Sequence, residues 1–206
     1  MSRICGVPDH FGQGTICKWP IMDVFIYAKG FLGQVDVEQA TVEAIGYWNE
    51  VCGINLQMSS NPKTSHIRVN FGVIDGPSGT LAISELPCGM IASALRQMQQ
   101  TYDTSEGWVI AENPPANKID AVRVFAHEIG HAIGISHIDA GNLLAPIYSQ
   151  TIRRPCAGDI KEAVVRYGLR PSTPVPTPTP TLGPVKDLII VDDFGNRWSP
   201  TNWKKL

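Results

Sequence analysis

Residues 127–137 read HEIGHAIGISH, and this stretch decides how the rest of the chain is interpreted. In an α-helix with about 3.6 residues per turn, His127 and His131 project from the same face, so two imidazoles can hold one metal ion. Gly134 can end the helix, because glycine tolerates the positive φ of a sharp turn, and the chain then bends back to offer His137. Three nitrogens with an open fourth position predict a catalytic zinc site, since structural zinc sites are closed by four protein ligands.

Glu128 lies beside the first of these histidines, where its carboxylate can reach a water molecule on the metal. A glutamate in this position can act as the general base while the water attacks the carbonyl carbon of a peptide bond. A lone HExxH can arise by chance on a helix. This chain, however, has only five histidines, and three of them lie in this one stretch. The extended pattern therefore predicts a zinc-dependent endopeptidase with one catalytic Zn²⁺.

The composition limits the remaining classes of function. The 206 residues fit one domain with appendages, and 43% hydrophobic residues are enough for a core. A net charge of -2 gives no basic field, so no nucleic-acid partner is expected. No stretch approaches the roughly 20 apolar residues of a membrane span, and the N-terminal MSRICGVPDHFG has no apolar region of the kind found in signal peptides.

The cysteine pattern favours an oxidising compartment. None of the five cysteines forms a CxxC pair, which argues against a cysteine-based zinc site. Four could form two disulfides with one left over, although all five could also be reduced. We therefore expect a secreted or extracellular protein, or one attached to an extracellular or virion-like assembly. The cysteines are Cys5, Cys17, Cys52, Cys88 and Cys156.

Composition and periodicity divide the chain into four parts. Residues 171–184 read PSTPVPTPTPTLGP, which predicts an extended linker without a core. Before it we expect an N-terminal segment at 1–17 and a catalytic domain at 18–170; after it, a tail at 185–206 that could dock on another protein or subunit, or begin a further domain. Within the domain, residue spacing predicts helices at 37–51, 121–134 and 158–167 and strands at 24–27, 54–58, 66–71 and 81–83.

Further motifs resemble the matrixins, the metzincin peptidases that include the matrix metalloproteinases. The resemblance covers about residues 3–168 and rests on SHIRVNFG at 65–72, DGPSGTLA at 75–82, YDTSEGW at 102–108, NLLAPIY at 142–148 and GDIKEAVVRYG at 158–168. It implies an α+β fold: a twisted, mainly parallel five-stranded sheet with an antiparallel edge strand, an active-site helix and a C-terminal helix.

The resemblance also implies further metal ligands. A calcium site would use the carboxylates of Asp75, Asp103 and Glu106 with oxygens from Gly76 and Ser78, and hard oxygen ligands of this kind suit Ca²⁺. The second, structural zinc of the family is not expected, because Ile83 and Thr101 stand where its histidines should be. His10 and His66 lie in other segments and are interpreted as surface residues.

The motif CGVPD at 5–9 resembles the matrixin cysteine switch, in which a thiolate occupies the fourth zinc position. In this chain the arginine is Arg3, one residue further from the cysteine than in the family. Two alternatives stay open: Cys5 is an inhibitory zinc ligand, or it pairs with another cysteine.

The substrate-binding residues are also taken from the resemblance. The backbone of an edge strand would pair with an extended substrate, an apolar pocket would take the side chain after the scissile bond, and Arg123 at the pocket base would favour medium-sized apolar side chains unless it swings to solvent. Leu144 replaces the Met-turn methionine, a swap of similar volume that costs less than about 1.5 kcal/mol. The edge-strand residues are Thr80, Leu81, Ala82 and Ile83, and the pocket residues are Leu143, Pro146, Ile147 and Tyr148.

Two other classes of function are weighed against catalysis. The chain could be an inactive scaffold that keeps the fold to bind a partner, but an intact Glu128 argues against this. It could also be a cargo component of a larger assembly, anchored through the tail at 185–206, which would not exclude catalysis.

Overall fold

The computed structural model describes residues 3–6, 16–170, 190–191 and 197–198. The chain forms two compact units, Met1–Pro171 and Ser172–Leu206. The predicted linker at 171–184 lies outside the described residues. In the tail, β11 (Ile190–Val191) pairs antiparallel with β12 (Arg197–Trp198), and docking of this tail stays a prediction. No helix of the described residues is long and apolar enough to cross a membrane.

A six-stranded sheet forms the scaffold of the first unit, and its strands are, in order across the sheet, β1 (Ile4–Cys5), β7 (Thr80–Ser84), β8 (Met98–Asp103), β6 (Ile67–Gly72), β2 (Asp23–Tyr27) and β5 (Asn55–Met58). Its pairs are parallel except for β7 with β8, which is antiparallel. Four strands overlap those that residue spacing predicts, β8 completes the five-stranded sheet that the resemblance implies, and β1 adds a sixth strand beyond the edge strand β7.

Three helices complete the predicted α+β architecture: α1 (Val37–Val51), α2 (Ala121–Ala132) and α3 (Ala157–Tyr167). Asp36 caps α1 by accepting hydrogen bonds from the backbone of Glu38 and Gln39, which explains where this helix begins. Short pairs connect these elements: β3 (Phe31–Leu32) with β4 (Val35–Asp36), and β9 (Trp108–Val109) with β10 (Ile119–Asp120).

The core lies between the sheet and helices α1 and α2. All twelve residues of α2 are buried, so this helix runs through the interior. The indole of Trp48 in α1 donates a hydrogen bond to the Ala126 carbonyl at 2.8 Å and fixes the two helices against each other. The helix that carries the HEIGH motif is therefore held rigidly from several sides.

Strand β8 is absent from the sequence-based prediction although it lies inside the sheet. Its sequence MQQTYD is too polar to indicate a strand, but Met98, Gln100 and Tyr102 alternate inward and are buried. Gln100 is tolerated there because its side-chain amide bonds to the Ser84 hydroxyl and accepts from Tyr102.

Candidate metal centre

Two histidines of α2 face each other through their Nε2 atoms, an arrangement that suits a bound cation. The Nδ1 atoms of His127 and His131 lie 2.7 Å from the carbonyl oxygens of Leu143 and Ile135. Because a carbonyl can only accept, each Nδ1 must carry the ring proton, and each neutral ring then has its lone pair at Nε2. The two Nε2 atoms are 3.0 Å apart. Two lone pairs at this distance repel each other, so this donor set fits a metal ion.

The third histidine is brought in by a turn. Gly134 adopts φ 95° and its N–H donates to the His131 carbonyl at 2.7 Å, which ends the helix as the sequence predicted. The chain returns and places the His137 ring 4.8 Å from the His131 ring, centroid to centroid. The possible ligand atoms of His127, His131, His137 and Cys5 all lie within 4.8 Å of one another. Three nitrogens and one sulfur suit zinc.

Burial keeps both helix histidines in the neutral form that can bind a metal. It lowers the pKa of His127 to about 4, against the effect of its hydrogen bond to Leu143, and it also lowers the pKa of His131.

Glu128 lies next to this cluster and is 1% exposed. Burial raises the pKa of Glu128 to about 8, while a hydrogen bond with Cys5 acts in the opposite direction. Its Oε2 has no hydrogen-bond partner within the part of the chain that the structure describes. A buried carboxyl oxygen next to this candidate metal-binding cluster can hold and move a proton.

The N-terminal segment 3–6 lies in the cleft beside this cluster. On one side Gly6 donates to the Ala82 carbonyl at 2.9 Å, so β1 runs parallel to β7. On the other side the backbone N–H of Cys5 donates to the Pro146 carbonyl at 3.1 Å, and the backbone N–H of Tyr148 donates to the Arg3 carbonyl at 3.0 Å. The edge backbone that was predicted to be free for substrate is therefore paired with the protein's own chain.

Cys5 is brought to the metal-binding cluster by this segment. Its Sγ lies 3.4 Å from His131 Nε2. The one disulfide found among the described residues joins Cys17 to Cys88, and Cys5, Cys52 and Cys156 are outside it. Of the two alternatives for Cys5, the disulfide is not the one seen here.

A cavity opens beside His127 and Glu128, and its lining includes the predicted pocket residues Leu143, Pro146, Ile147 and Tyr148. Arg123 also lines it and is only 3% exposed, so its side chain is not turned to solvent. The guanidinium donates to the Ser149 carbonyl at 2.8 Å, the Glu112 carbonyl at 3.0 Å and the Tyr148 hydroxyl at 3.3 Å.

Leu144, at the Met-turn position, is fully buried beneath α2. The loop that carries it is held by Asp159 of α3, whose carboxylate accepts from the N–H groups of Leu143 at 2.8 Å and Leu144 at 3.0 Å. The Leu143 carbonyl orients the His127 ring. Asp159 therefore helps to orient this candidate metal ligand through the Leu143 backbone, without touching the ring itself. The sequence offered only an acidic residue near a helix start, which does not predict this role.

The predicted calcium residues lie in one loop region, but the structure shows a different bonding pattern there. Asp103 accepts from the N–H groups of Ile74, Asp75 and Ser105. Glu106 accepts from Ser78 and Gly79, and Asp75 accepts from Thr80. These oxygens do not form a ligand group among the residues described. The chemistry of three carboxylates suits Ca²⁺, and a calcium site in this loop region stays a prediction.

His66 was interpreted as a surface residue, and the structure places it at intermediate burial. It is half-buried between the rings of Trp19 and Phe25, and its Nδ1 accepts from the Phe25 N–H at 3.0 Å. His10 lies outside the described residues.

Three clustered histidines and a buried glutamate on an α+β scaffold fit the class of metal-dependent peptidases. The chain matches the family model described as Matrixin over residues 21–164. It belongs to the matrixin family, and its similarity to members of this family indicates that it is a metalloprotease.

Several curated relatives are similar to this chain. It is 30% identical to stromelysin-3 of Xenopus laevis over 158 residues, which cover 71% of this chain and 31% of that protein. It is 31% identical to matrix metalloproteinase-C of Caenorhabditis elegans over 136 residues, which cover 58% of this chain and 21% of that protein. It is 29% identical to the hatching enzyme of Paracentrotus lividus over 160 residues, covering 71% and 25%. The chain thus spans only a fifth to a third of the length of these relatives.

Proposed function

We propose that the chain is a zinc-dependent endopeptidase in which His127, His131 and His137 hold the metal and Glu128 is the general base. The observation that carries this proposal is the pair of Nε2 lone pairs 3.0 Å apart, next to a buried glutamate. When bound, zinc would act as a Lewis acid and lower the pKa of a bound water. Glu128 would take a proton from the attacking water and pass it to the leaving amine.

The cleft supports a substrate in an extended conformation. The edge strand β7 and the segment 146–148 each offer backbone hydrogen bonds, as their pairing with residues 3–6 illustrates. The substrate would contact the predicted edge residues Thr80, Leu81, Ala82 and Ile83. Because Arg123 is buried in the pocket lining, we propose cleavage before medium-sized apolar side chains, with a graded preference of about 1–3 kcal/mol per methylene.

Substitution of Glu128 tests the proposed function. Glu128→Ala and Glu128→Gln are expected to keep zinc and the fold but to lose at least about a hundredfold in peptide cleavage, because only the base is removed. Zinc content, melting temperature and cleavage of a peptide library should be measured together, with Glu162→Gln on α3 as the control. Because residues 3–6 lie in the cleft, all proteins should also be assayed with Cys5→Ala. Full cleavage by both Glu128 variants would mean that another group activates the water, and no cleavage by any protein would favour a non-catalytic scaffold.

We propose that Cys5 is an inhibitory zinc ligand and that the full chain is latent. The short distance from its sulfur to His131 Nε2 supports this proposal. The protein would act outside the cell, which the Cys17–Cys88 disulfide supports, since disulfides persist in oxidising compartments.

We propose that the loop region with Asp75, Asp103 and Glu106 binds Ca²⁺, because carboxylate oxygens are suitable ligands for this ion. If the loop binds Ca²⁺, EGTA lowers the melting temperature, because an ion bound only to the folded state stabilises it. Asp103→Ala should remove this sensitivity. A wild-type melting temperature that EGTA does not change would mean that backbone amides alone satisfy these carboxylates.

A further inference from the structure

The cavity beside Glu128 has one wall without regular secondary structure. Arg123 comes from the rigid helix α2, but Ser149 and Ile152 come from the loop between Tyr148 and α3. No helix or strand fixes this loop, so its shape depends on side-chain contacts. Arg123 holds one end of it through the Ser149 carbonyl.

Arg153 holds the other end of the loop, directly after Ile152. Its Nε donates to Asp120 Oδ2 at 2.7 Å, and its Nη1 contacts the Glu43 carboxylate and lies 2.8 Å from the Tyr47 hydroxyl. Glu112 lies 3.7 Å away. One guanidinium therefore joins the loop to the start of α2 and to the middle of α1.

This arrangement differs from a solvated surface ion pair. The Arg153 side chain is 12% exposed and that of Asp120 is 0% exposed. A planar guanidinium has five donors in fixed directions and can serve partners on two elements at once, whereas a lysine has one ammonium group and no such fixed fork. The adjacent Arg154 provides the contrast in exposure: it pairs with Glu50 while both side chains are more than half exposed, and its guanidinium lies over the Tyr47 ring, 4.1 Å from the centroid.

We propose that Arg153 is a positioning residue for substrate selectivity: its ion pairs fix the loop that forms one wall of the pocket and thereby limit the size of the side chain that the pocket accepts. This inference rests on the proposed endopeptidase function. A fixed wall discriminates between substrates by size, because an oversized substrate side chain must displace Ile152. If the loop is released, the wall can move away and admit the larger side chain. Arg153 touches neither the metal-binding cluster nor Glu128, so its effect should lie in selectivity.

The test compares Arg153→Ala, Arg153→Lys and the control Arg154→Ala, all in the full chain carrying Cys5→Ala. The readout is the ratio of kcat/KM for two peptides that differ only in Leu or Trp after the scissile bond. We expect Arg153→Ala to lower this ratio by about tenfold, the size of a modest pocket discrimination. Arg153→Lys should be intermediate, and Arg154→Ala should keep the parent ratio. A merely structural role would reduce both activities together and leave the ratio unchanged.

A second variant covers the case in which Arg153→Ala does not fold. Tyr47→Phe removes the hydrogen bonds that the hydroxyl makes with Arg153 and Glu43 and leaves every charge in place, so it should lower the ratio in the same direction by a smaller factor. An unchanged ratio in every folded Arg153 and Tyr47 variant, with the parent active, overturns this inference alone. If the parent protein, the full chain carrying Cys5→Ala, cleaves neither peptide, the result overturns the proposed function as well as this inference.

Discussion

At the scale of single residues, the candidate site depends on a glycine inside its own helix. Glycine in a helix costs about 1 kcal/mol relative to alanine, so Gly130 in the middle of α2 needs a reason. A Cβ at this position would lie 2.7 Å from Leu144 Cδ2 and 2.8 Å from Trp48 Cζ2. Gly130 thus allows Leu144 and a core tryptophan to pack directly beneath the helix that carries His127 and His131.

We expect Gly130→Ala to destabilise the protein by about 1–3 kcal/mol despite its better helix propensity, because the core must move to admit a methyl group. The matched control is Gly46→Ala in α1, where a Cβ would meet no atom within 4 Å. That variant should gain up to about 1 kcal/mol from helix propensity alone. Urea denaturation of both variants measures the difference, and equal stabilisation by the two substitutions would contradict this account of the packing.

At the scale of elements, β1 has the strongest functional consequence although it has only two residues. It adds to β7 on one side and contacts the 146–148 segment on the other, so both walls of the cleft are used. Gly6 permits this approach, because a Cβ there would lie 2.5 Å from Ile83 Cγ1 and 2.9 Å from Thr80 Cγ2.

If this segment keeps the enzyme latent, two independent changes should release activity. Cys5→Ala removes the thiol, and Gly6→Val prevents the close approach to β7. Each is expected to raise cleavage of a fluorogenic peptide at least tenfold over the full chain, and removal of residues 1–12 should do the same. The control is Cys156→Ser, which changes a thiol at the start of α3 and should stay latent. A full chain already as active as Cys5→Ala would show that the switch does not operate.

At the scale of the whole molecule, the end of β8 connects the sheet to the loop that precedes β7. Asp103 lies there and accepts four hydrogen bonds from Ile74, Asp75 and Ser105. Burial alone would raise the pKa of Asp103, but these hydrogen bonds outweigh it, and the pKa is lowered below its ordinary value. The folded state therefore prefers the ionised carboxylate.

A lowered folded-state pKa gives stability that is present above the unfolded-state pKa of roughly 4 and is lost as the pH falls through the folded value. The melting temperature of the wild type should thus fall more steeply between about pH 5 and pH 3 than that of Asp103→Asn. Asp139→Asn, an exposed position, should keep the wild-type slope. The scans should be run in EGTA so that calcium does not contribute, and parallel wild-type and Asp103→Asn curves would exclude this role.

The sequence by itself determined the features that depend on neighbours along the chain. The predicted helix at 37–51 coincides with α1, because an amphipathic period is a local property. The spacing within HEIGHAIGISH placed three histidines and one glutamate together for the same reason, and a glycine with positive φ makes the turn between them.

Only the tertiary structure decided the features that join distant segments. Strand β8 could not be predicted, since its glutamines are satisfied by partners such as Ser84, 16 residues away. The sequence placed Asp159 at a helix start but not beneath His127, and it gave no sign that Arg153 reaches Asp120 and Glu43. It suggested Cys5 as a ligand but not that β1 fills the cleft. Such contacts depend on how the elements pack, and a pattern of neighbouring residues carries no information about that packing.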